Sequence, residues 1–342
     1  MRGFNRREFI ASALALGSSY VWGASPKSLD PVDPNMRFGI TGALWGDWPN
    51  GNLRMSTDMQ QIISDTARFG LQGIEPYARQ LGDFESRPRA LKQLCEASGI
   101  SLIDVGDLPP AQLRTKAGSN PWISVEGNSE LITAMVTFAR DFLAPCRCDH
   151  WKTNMGSRPQ GGPSDDQLKI LANTLNEIGR QTIAFGVRLA PHPHIWGPME
   201  RERDMRKVME LTNPKYVYLT ADTAHLTLGG GDALQIIRDY FPRIAEVHLK
   251  DTYPRYRGNT ATPTQAEHAK ASLYHNLGAG GVDFPAIFKL LRDRRFKGWV
   301  VYDLDAPRPG DGSGSIEENL AVNINYLRNV LHVKLPPPPQ HA

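Results

Sequence analysis

The sequence predicts an α/β fold, a single-domain (β/α)8 TIM barrel spanning residues 36–333, on three observations. Eight short apolar runs alternate with longer segments of 3.6-residue periodicity. The runs are almost continuously apolar, as expected when both faces of a parallel sheet are covered. A Gly-rich fingerprint after an early strand, which an open dinucleotide-binding sheet would want, is missing, and Gly229-Gly230-Gly231 follows the sixth run instead.

The strand candidates are residues 37–41, 73–76, 101–105, 148–152, 187–191, 216–221, 245–250 and 298–303. Helical periodicity occupies 55–69, 87–98, 130–142, 165–185 and 284–292. A last helix starts at Ser315-Ile316-Glu317-Glu318, whose acidic first turn suits a helix amino end, and runs to about Leu331. The long polar insertion 253–281, after the seventh strand, is expected to cover the barrel mouth.

Outside the barrel the reading is of an export signal over 1–24, a linker over 25–35 and a proline-rich tail over 334–342. Arg6-Arg7 is followed by Glu8-Phe9-Ile10, a short apolar stretch and the small residues Gly23-Ala24-Ser25. That order resembles a twin-arginine signal, which implies contact with the twin-arginine translocation machinery and a periplasmic product. An amphipathic amino-terminal helix is the alternative.

Net charge is +3, and Arg2, Arg6, Arg7 and Glu8 account for +2 of it. The remainder intersperses both signs, which disfavours a nucleic-acid partner. The mean hydropathy is −0.39 and no apolar run of about 18 residues occurs, so a membrane-spanning bundle is excluded. Cys95, Cys146 and Cys148 are too few for a disulfide scaffold and read as inert thiols.

In such barrels the reacting groups gather at the carboxyl ends of the strands. His150, His192, His194, His225 and His248 fall there. His192 and His194 share a strand face about 7 Å apart and can address one centre, or else form a proline-rich turn. Asp222 ends the sixth run, either as a ligand or as the cap of the following turn. Glu246, His248 and Lys250 share one face of the seventh strand and need partners inside the barrel. Asp303 and Asp305 share a face at the end of the eighth, as ligands, cap or ion pair. Together these are one imidazole or carboxylate at the end of each of four successive strands, a donor set that suits Mn, Co, Fe or Zn in the divalent state.

These residues resemble the xylose isomerase-like TIM barrels, the sugar phosphate isomerase/epimerase superfamily. The resemblance rests on Gly73-Ile-Glu75, Asp222-x-x-His225, Val247-His248-Leu-Lys250-Asp251, Leu277-Gly-x-Gly280-Gly-Val-Asp283-Phe and Gly298-Trp-Val-Val-x-Asp303. The histidine-rich fifth strand looks closest to the inosose dehydratase branch. The resemblance implies a divalent metal ion on His192, Asp222, His248 and Asp303, with His225 against the substrate. It implies an isomerase or epimerase that passes a keto-sugar or keto-polyol through an enediolate; an inosose dehydratase-like lyase is the alternative, and an inactive sugar-binding barrel a second. Epimerases of this type carry glutamates at the fifth and eighth strands, where this chain has His192 and Asp303. Both changes put a two-glutamate proton transfer in doubt. Candidate acids and bases outside the ligand set are Glu75, His150, Lys152, Glu200 and Asp305, with Glu75 and Lys152 favoured; an ion pair between those two is the competing reading. His150, His194, Glu200, Lys250, Arg255 and Asp305 are candidate contacts to a carbohydrate or cyclitol.

Overall fold

The computed structural model describes residues 35–49, 53–107, 120–308 and 314–335. The export signal, the linker up to Pro34 and the tail beyond Leu335 lie outside the described residues.

The eight barrel strands are β1 (Met36–Thr41), β2 (Gly73–Glu75), β3 (Ser101–Leu102), β4 (His150–Thr153), β5 (Arg188–Pro191), β6 (Leu219–Asp222), β7 (Ile244–Leu249) and β8 (Gly298–Tyr302). Six of them run in parallel in the order β3-β2-β1-β8-β7-β6, and β4 pairs in parallel with β5. A bridge between Leu189 and Val217 carries β5 across to the approach of β6. Between β3 and β4 side chains replace the ladder. Asp104 Oδ2 accepts the Lys152 N–H, and the Trp151 indole donates to the Val105 carbonyl at 2.8 Å. Chain order around the ring is therefore sequential, as parallel strands with helical crossovers require.

Around the strands stand the helices α1 (Met59–Arg68), α2 (Pro88–Ala97), α3 (Asn128–Phe138), α4 (Asp165–Thr182), α5 (Glu202–Leu211), α6 (Thr223–Leu228), α7 (Ala233–Asp239), α8 (Phe284–Asp293) and α9 (Ile316–Asn329), with shorter helical turns at Ala144–Cys146 and Gln265–Lys270. Their ends follow local chemistry. Asp58 accepts from Gln61 N and starts α1 four residues later than periodicity suggests, because Met55 is spent pairing with Gly46 in a two-residue ribbon. Ser164 with Gln167 and Ser315 with Glu318 form capping boxes on α4 and α9. α3 passes into a π turn over Ala139–Leu143, so the helical run 130–142 is two pieces.

Parallel register places partners on the same side of the wall. Trp299 lies beside Glu246 and Val301 beside His248, while Thr41 lies beside Glu75. The barrel floor is apolar, filled by Ile103, Trp299 and Val301. It is also tight: a Cβ on Gly73 would stand 2.6 Å from the Trp299 ring, so only glycine fits there. Polar side chains sit above that floor, and the helices seal the outside, as where Phe38 of β1 stacks on Phe288 of α8 at 6.3 Å.

The insertion 253–281 is more structured than its composition suggests. Thr264 and Glu267 cap a helix over Gln265–Lys270, and Tyr274–His275 pairs antiparallel with Asp251–Thr252. Its Tyr274 ring stands 5.4 Å from that of His225, which brings the insertion over the strand ends.

Candidate metal centre at the barrel rim

Asp222 closes β6 and does two things at once. Its Oδ1 accepts the His225 N–H at 2.8 Å and caps α6, leaving Oδ2 to face inward. Oδ2 lies 3.5 Å from His192 Nε2 and 3.8 Å from His248 Nδ1. His248 Nδ1 is in turn 3.5 Å from Asp303 Oδ2. Ligands about 2.0–2.2 Å from one ion stand roughly 3–4 Å from each other, so the spacing suits a shared cation. The ligand atoms of Asp222, His248 and Asp303 all lie within 4.8 Å of one another, as do those of His192, Asp222 and His225.

His192 Nε2, Asp222 Oδ2 and His248 Nδ1 are buried with no hydrogen-bond partner. Buried polar atoms are nearly always satisfied, so these orphans fit a metal ion held through Asp222, either with His248 and Asp303 or with His192 and His225. The tautomers agree. Asn154 Oδ1 lies 2.8 Å from His192 Nδ1, and an amide oxygen only accepts, so the lone pair of Nε2 faces the cluster. Asp303 fits less freely. Its Oδ1 holds the Thr41 hydroxyl at 2.9 Å and its Oδ2 holds Lys250 Nζ at 3.2 Å.

Electrostatics follow the packing. Burial, then the neighbouring Asp303, raises Asp222 to about 7. Burial would raise Asp303 too, but Lys250 and His248 outweigh it and hold that carboxyl well below its usual range. Burial, Lys152 and His248 push His192 down, and burial takes His194 to about 4, so both stand as neutral imidazoles.

Not every predicted site residue reaches this centre. Glu75 and Lys152 face each other at 3.0 Å, both fully buried, so the ion-pair alternative describes them and a mouth-facing pair of bases does not. Burial opposes the Lys152 charge, yet Glu75 and Tyr77 raise its pKa, the reverse of what a lysine base needs. His150 is the first residue of β4, not its carboxyl end. It lies deep, 2.7 Å from Asp149 and 3.3 Å from Glu246. Arg255 is exposed on a proline-led turn and stacks on Tyr253 and Tyr256. Glu200 turns toward its own loop, accepting from Trp196 N at 2.6 Å and pairing with Arg158 at 3.3 Å.

The others gather at the rim. Lys250 bridges Asp303 and Asp305 beneath the Tyr274 ring. His194 does not join His192 on the cluster; its ring packs 3.8 Å from that of His225. Its Nδ1 meets the Ile195 carbonyl oxygen, so Nδ1 carries the hydrogen and Nε2 is a free base. His225 has the opposite tautomer. Its Nδ1 faces the Ile195 N–H and the Tyr274 hydroxyl, each at 3.5 Å, which leaves the hydrogen on Nε2. Asn154, Thr41 and Tyr274 were not singled out by the sequence, where no spacing distinguishes an amide or hydroxyl that orients a neighbour.

Fold and cluster together define a barrel with a metal-type rim. The model of the xylose isomerase-like TIM barrel family matches residues 63–330, and the chain belongs to that family. Against inosose dehydratase of Clostridium botulinum it is 28% identical over 144 residues, covering 42% of this chain and about half, 48%, of that relative. Against inosose dehydratase of Clostridium perfringens it is 29% identical over 291 residues, covering 79% and 90%. Among solved structures, the IolI protein with a bound zinc atom superposes with a TM-score of 0.64 at 14% identity, covering 86% of this chain and 98% of that one. D-Psicose 3-epimerase of Clostridium cellulolyticum with D-tagatose gives 0.64 at 14% identity, covering 88% and 100%. Those two likenesses show the fold.

Proposed function

We propose that this chain is a divalent-metal-dependent enzyme that removes a proton beside the carbonyl of a keto-cyclitol or keto-sugar and then expels a β-hydroxyl as water. The observation that carries it is the buried, unpartnered Asp222 Oδ2, 3.5 Å from His192 Nε2 and 3.8 Å from His248 Nδ1, themselves unpartnered, beside two imidazoles of opposite tautomer. Asp222, His248 and Asp303, whose ligand atoms lie within 4.8 Å of one another, would hold the ion, with His192 adjoining Asp222. When bound, the ion supplies a positive charge that steadies oxygen atoms on which negative charge develops.

The protein's own groups supply the proton traffic. His194 Nε2, a neutral lone pair, takes the C–H proton, and His225 Nε2–H gives a proton to the departing hydroxyl. A base and an acid side by side suit elimination. The inosose dehydratase name of the sequence relatives points the same way. Isomerisation or epimerisation is the second reading, favoured by the fold shared with the epimerase; the ends of β5 and β8 carry His192 and Asp303 where a two-glutamate transfer would need glutamates. Proton NMR of the zinc-, manganese- or cobalt-loaded chain in D2O with keto-inositols and keto-sugars tests this. Deuterium uptake with loss of water supports the dehydratase, uptake with rearrangement supports the isomerase, and silence with every substrate and metal overturns both.

Export belongs to the same proposal: Arg6-Arg7 and the apolar stretch behind them support twin-arginine transport to the periplasm. Changing Arg6→Lys with Arg7→Lys should leave the protein in the cytoplasmic fraction; unchanged fractionation would count against it.

A further inference from the structure

Beneath the rim the barrel interior is charged. Glu75, Lys152, His150, Glu246 and His248 are all fully buried there. Burying five such groups is costly unless they pair, and they stand at ion-pair distances in a defined order, with hydrogen-bond geometry met between His248 Nε2 and Glu75 Oε2. Lys152 Nζ lies 3.0 Å from Glu75 Oε1, and His150 Nε2 lies 3.3 Å from Glu246 Oε2. Both carboxylates then meet at His248 Nε2, Glu75 Oε2 at 3.0 Å and Glu246 Oε2 at 3.4 Å.

One ring hydrogen cannot serve both equally. The Glu75 contact is a hydrogen bond in length, and the Glu246 contact is not. The other nitrogen of the same ring, Nδ1, is the orphan that faces Asp222 and Asp303. A neutral imidazole carries one hydrogen, so whichever nitrogen holds it decides whether Nδ1 presents a lone pair.

We infer that Glu75 is a positioning residue: its carboxylate, itself anchored by Lys152, holds the hydrogen of His248 on Nε2 and so turns the Nδ1 lone pair to the rim as a metal ligand. The inference rests on the metal reading of the rim. It also gives Glu75 a task different from the proton-abstracting one its sequence position suggests, since both its oxygens are engaged inside the barrel. Lys152 acts one step further back, fixing the Glu75 arm at 3.0 Å. An ionised partner on the far nitrogen makes an imidazole a stronger donor to a metal, and loss of such an outer partner typically weakens binding about 10–100-fold.

The experiment is cobalt titration of the full chain, wild type against Glu75→Leu and Lys152→Met, read by the visible absorption of the bound ion. The expected result is one cobalt per chain in the wild type, binding about 10–100-fold weaker in each variant. The double variant should lose less than the sum of the two, because Lys152 acts through Glu75. A wild type that binds no cobalt overturns the metal reading itself. A wild type that binds while Glu75→Leu matches it in affinity and spectrum overturns the positioning role alone.

A second measurement needs no variant and covers the case in which these substitutions prevent folding. In zinc-loaded wild type carrying 15N-histidine, long-range 1H–15N correlation should show His248 with its hydrogen on Nε2 and zinc on Nδ1. Hydrogen on Nδ1, or zinc on Nε2, would overturn the inference.

Discussion

Lys250 Nζ lies 3.2 Å from Asp303 Oδ2, an ion pair closed inside the barrel mouth with both side chains nearly inaccessible to solvent. Thr41 holds the other oxygen of Asp303, so this carboxylate is fixed at both ends before any ligand arrives. Replacing Lys250→Met keeps the bulk and leaves a buried carboxylate short of its counter-charge, a defect worth about 3–5 kcal/mol. Urea unfolding should show that loss in metal-free protein and a smaller one with saturating zinc, because the cation stands in for the lost ammonium. Equal losses with and without zinc would separate Asp303 from the metal.

Asp251 explains the Leu277–Phe284 motif in physical terms. Its carboxylate accepts backbone N–H groups from Gly278 at 2.9 Å, Gly280 at 3.2 Å and Val282 at 3.0 Å, winding that loop around one buried charge. Gly278 and Gly280 take positive φ values of 96° and 95° to turn those amides inward. Hydrogen bonds to a charged acceptor contribute about 1.5–3 kcal/mol each, partly shared here. Asp251→Ala is expected to lower stability by about 3 kcal/mol or more, with faster amide exchange confined to residues 278–282 and no change in metal binding.

His150 sets a pH dependence of stability. Burial works against its charge, but Glu246 and Asp149 outweigh burial and raise its pKa from 6.5 to about 10. Between those values the folded chain keeps a proton that the unfolded chain has released. The stabilisation is therefore complete below pH 6.5 and fades as pH rises toward 10, with a slope of up to about 1.4 kcal/mol per pH unit. Unfolding of wild type and His150→Gln compared across pH 6–10 should show the two curves converging as pH rises. Parallel curves would mean His150 is neutral in the fold.

The barrel was legible because its strands are buried on both faces and its helices are amphipathic, two signals that a sequence carries directly. The gathering of Asp222, His248 and Asp303 in one group, with His192 beside Asp222, was legible for a related reason: each stands at a strand end, and the fold class brings strand ends together. His150 misled because a strand's first residue was not told from its last; its strand begins two residues later than the apolar run does. Glu75 and Lys152 could be read either as mouth-facing groups or as an ion pair, because spacing alone does not say whether two inward side chains meet; they stand 3.0 Å apart. Arg255 was decided by local stacking on Tyr253 and Tyr256, which composition does not reveal. The tautomers of His194 and His225 depend on Ile195 and Tyr274, backbone and side-chain partners supplied by the folded loops.

Those tautomers make the last prediction. If His194 is the base and His225 the acid, removing each should stop the reaction at a different point. His194→Gln should abolish deuterium uptake from D2O and loss of water together, each falling by about 10²–10⁴-fold, the usual contribution of a positioned proton-transfer group. His225→Gln should spare the uptake more than the elimination, so that substrate recovered from the reaction carries deuterium without having lost its hydroxyl. Metal affinity should fall little in either variant, because His194 lies outside the cluster and His225 presents a hydrogen to it rather than a lone pair. A His225→Gln protein that loses uptake and elimination in the same proportion would mean that His225 serves binding or the first step, and the assignment of acid and base would have to be reversed or abandoned.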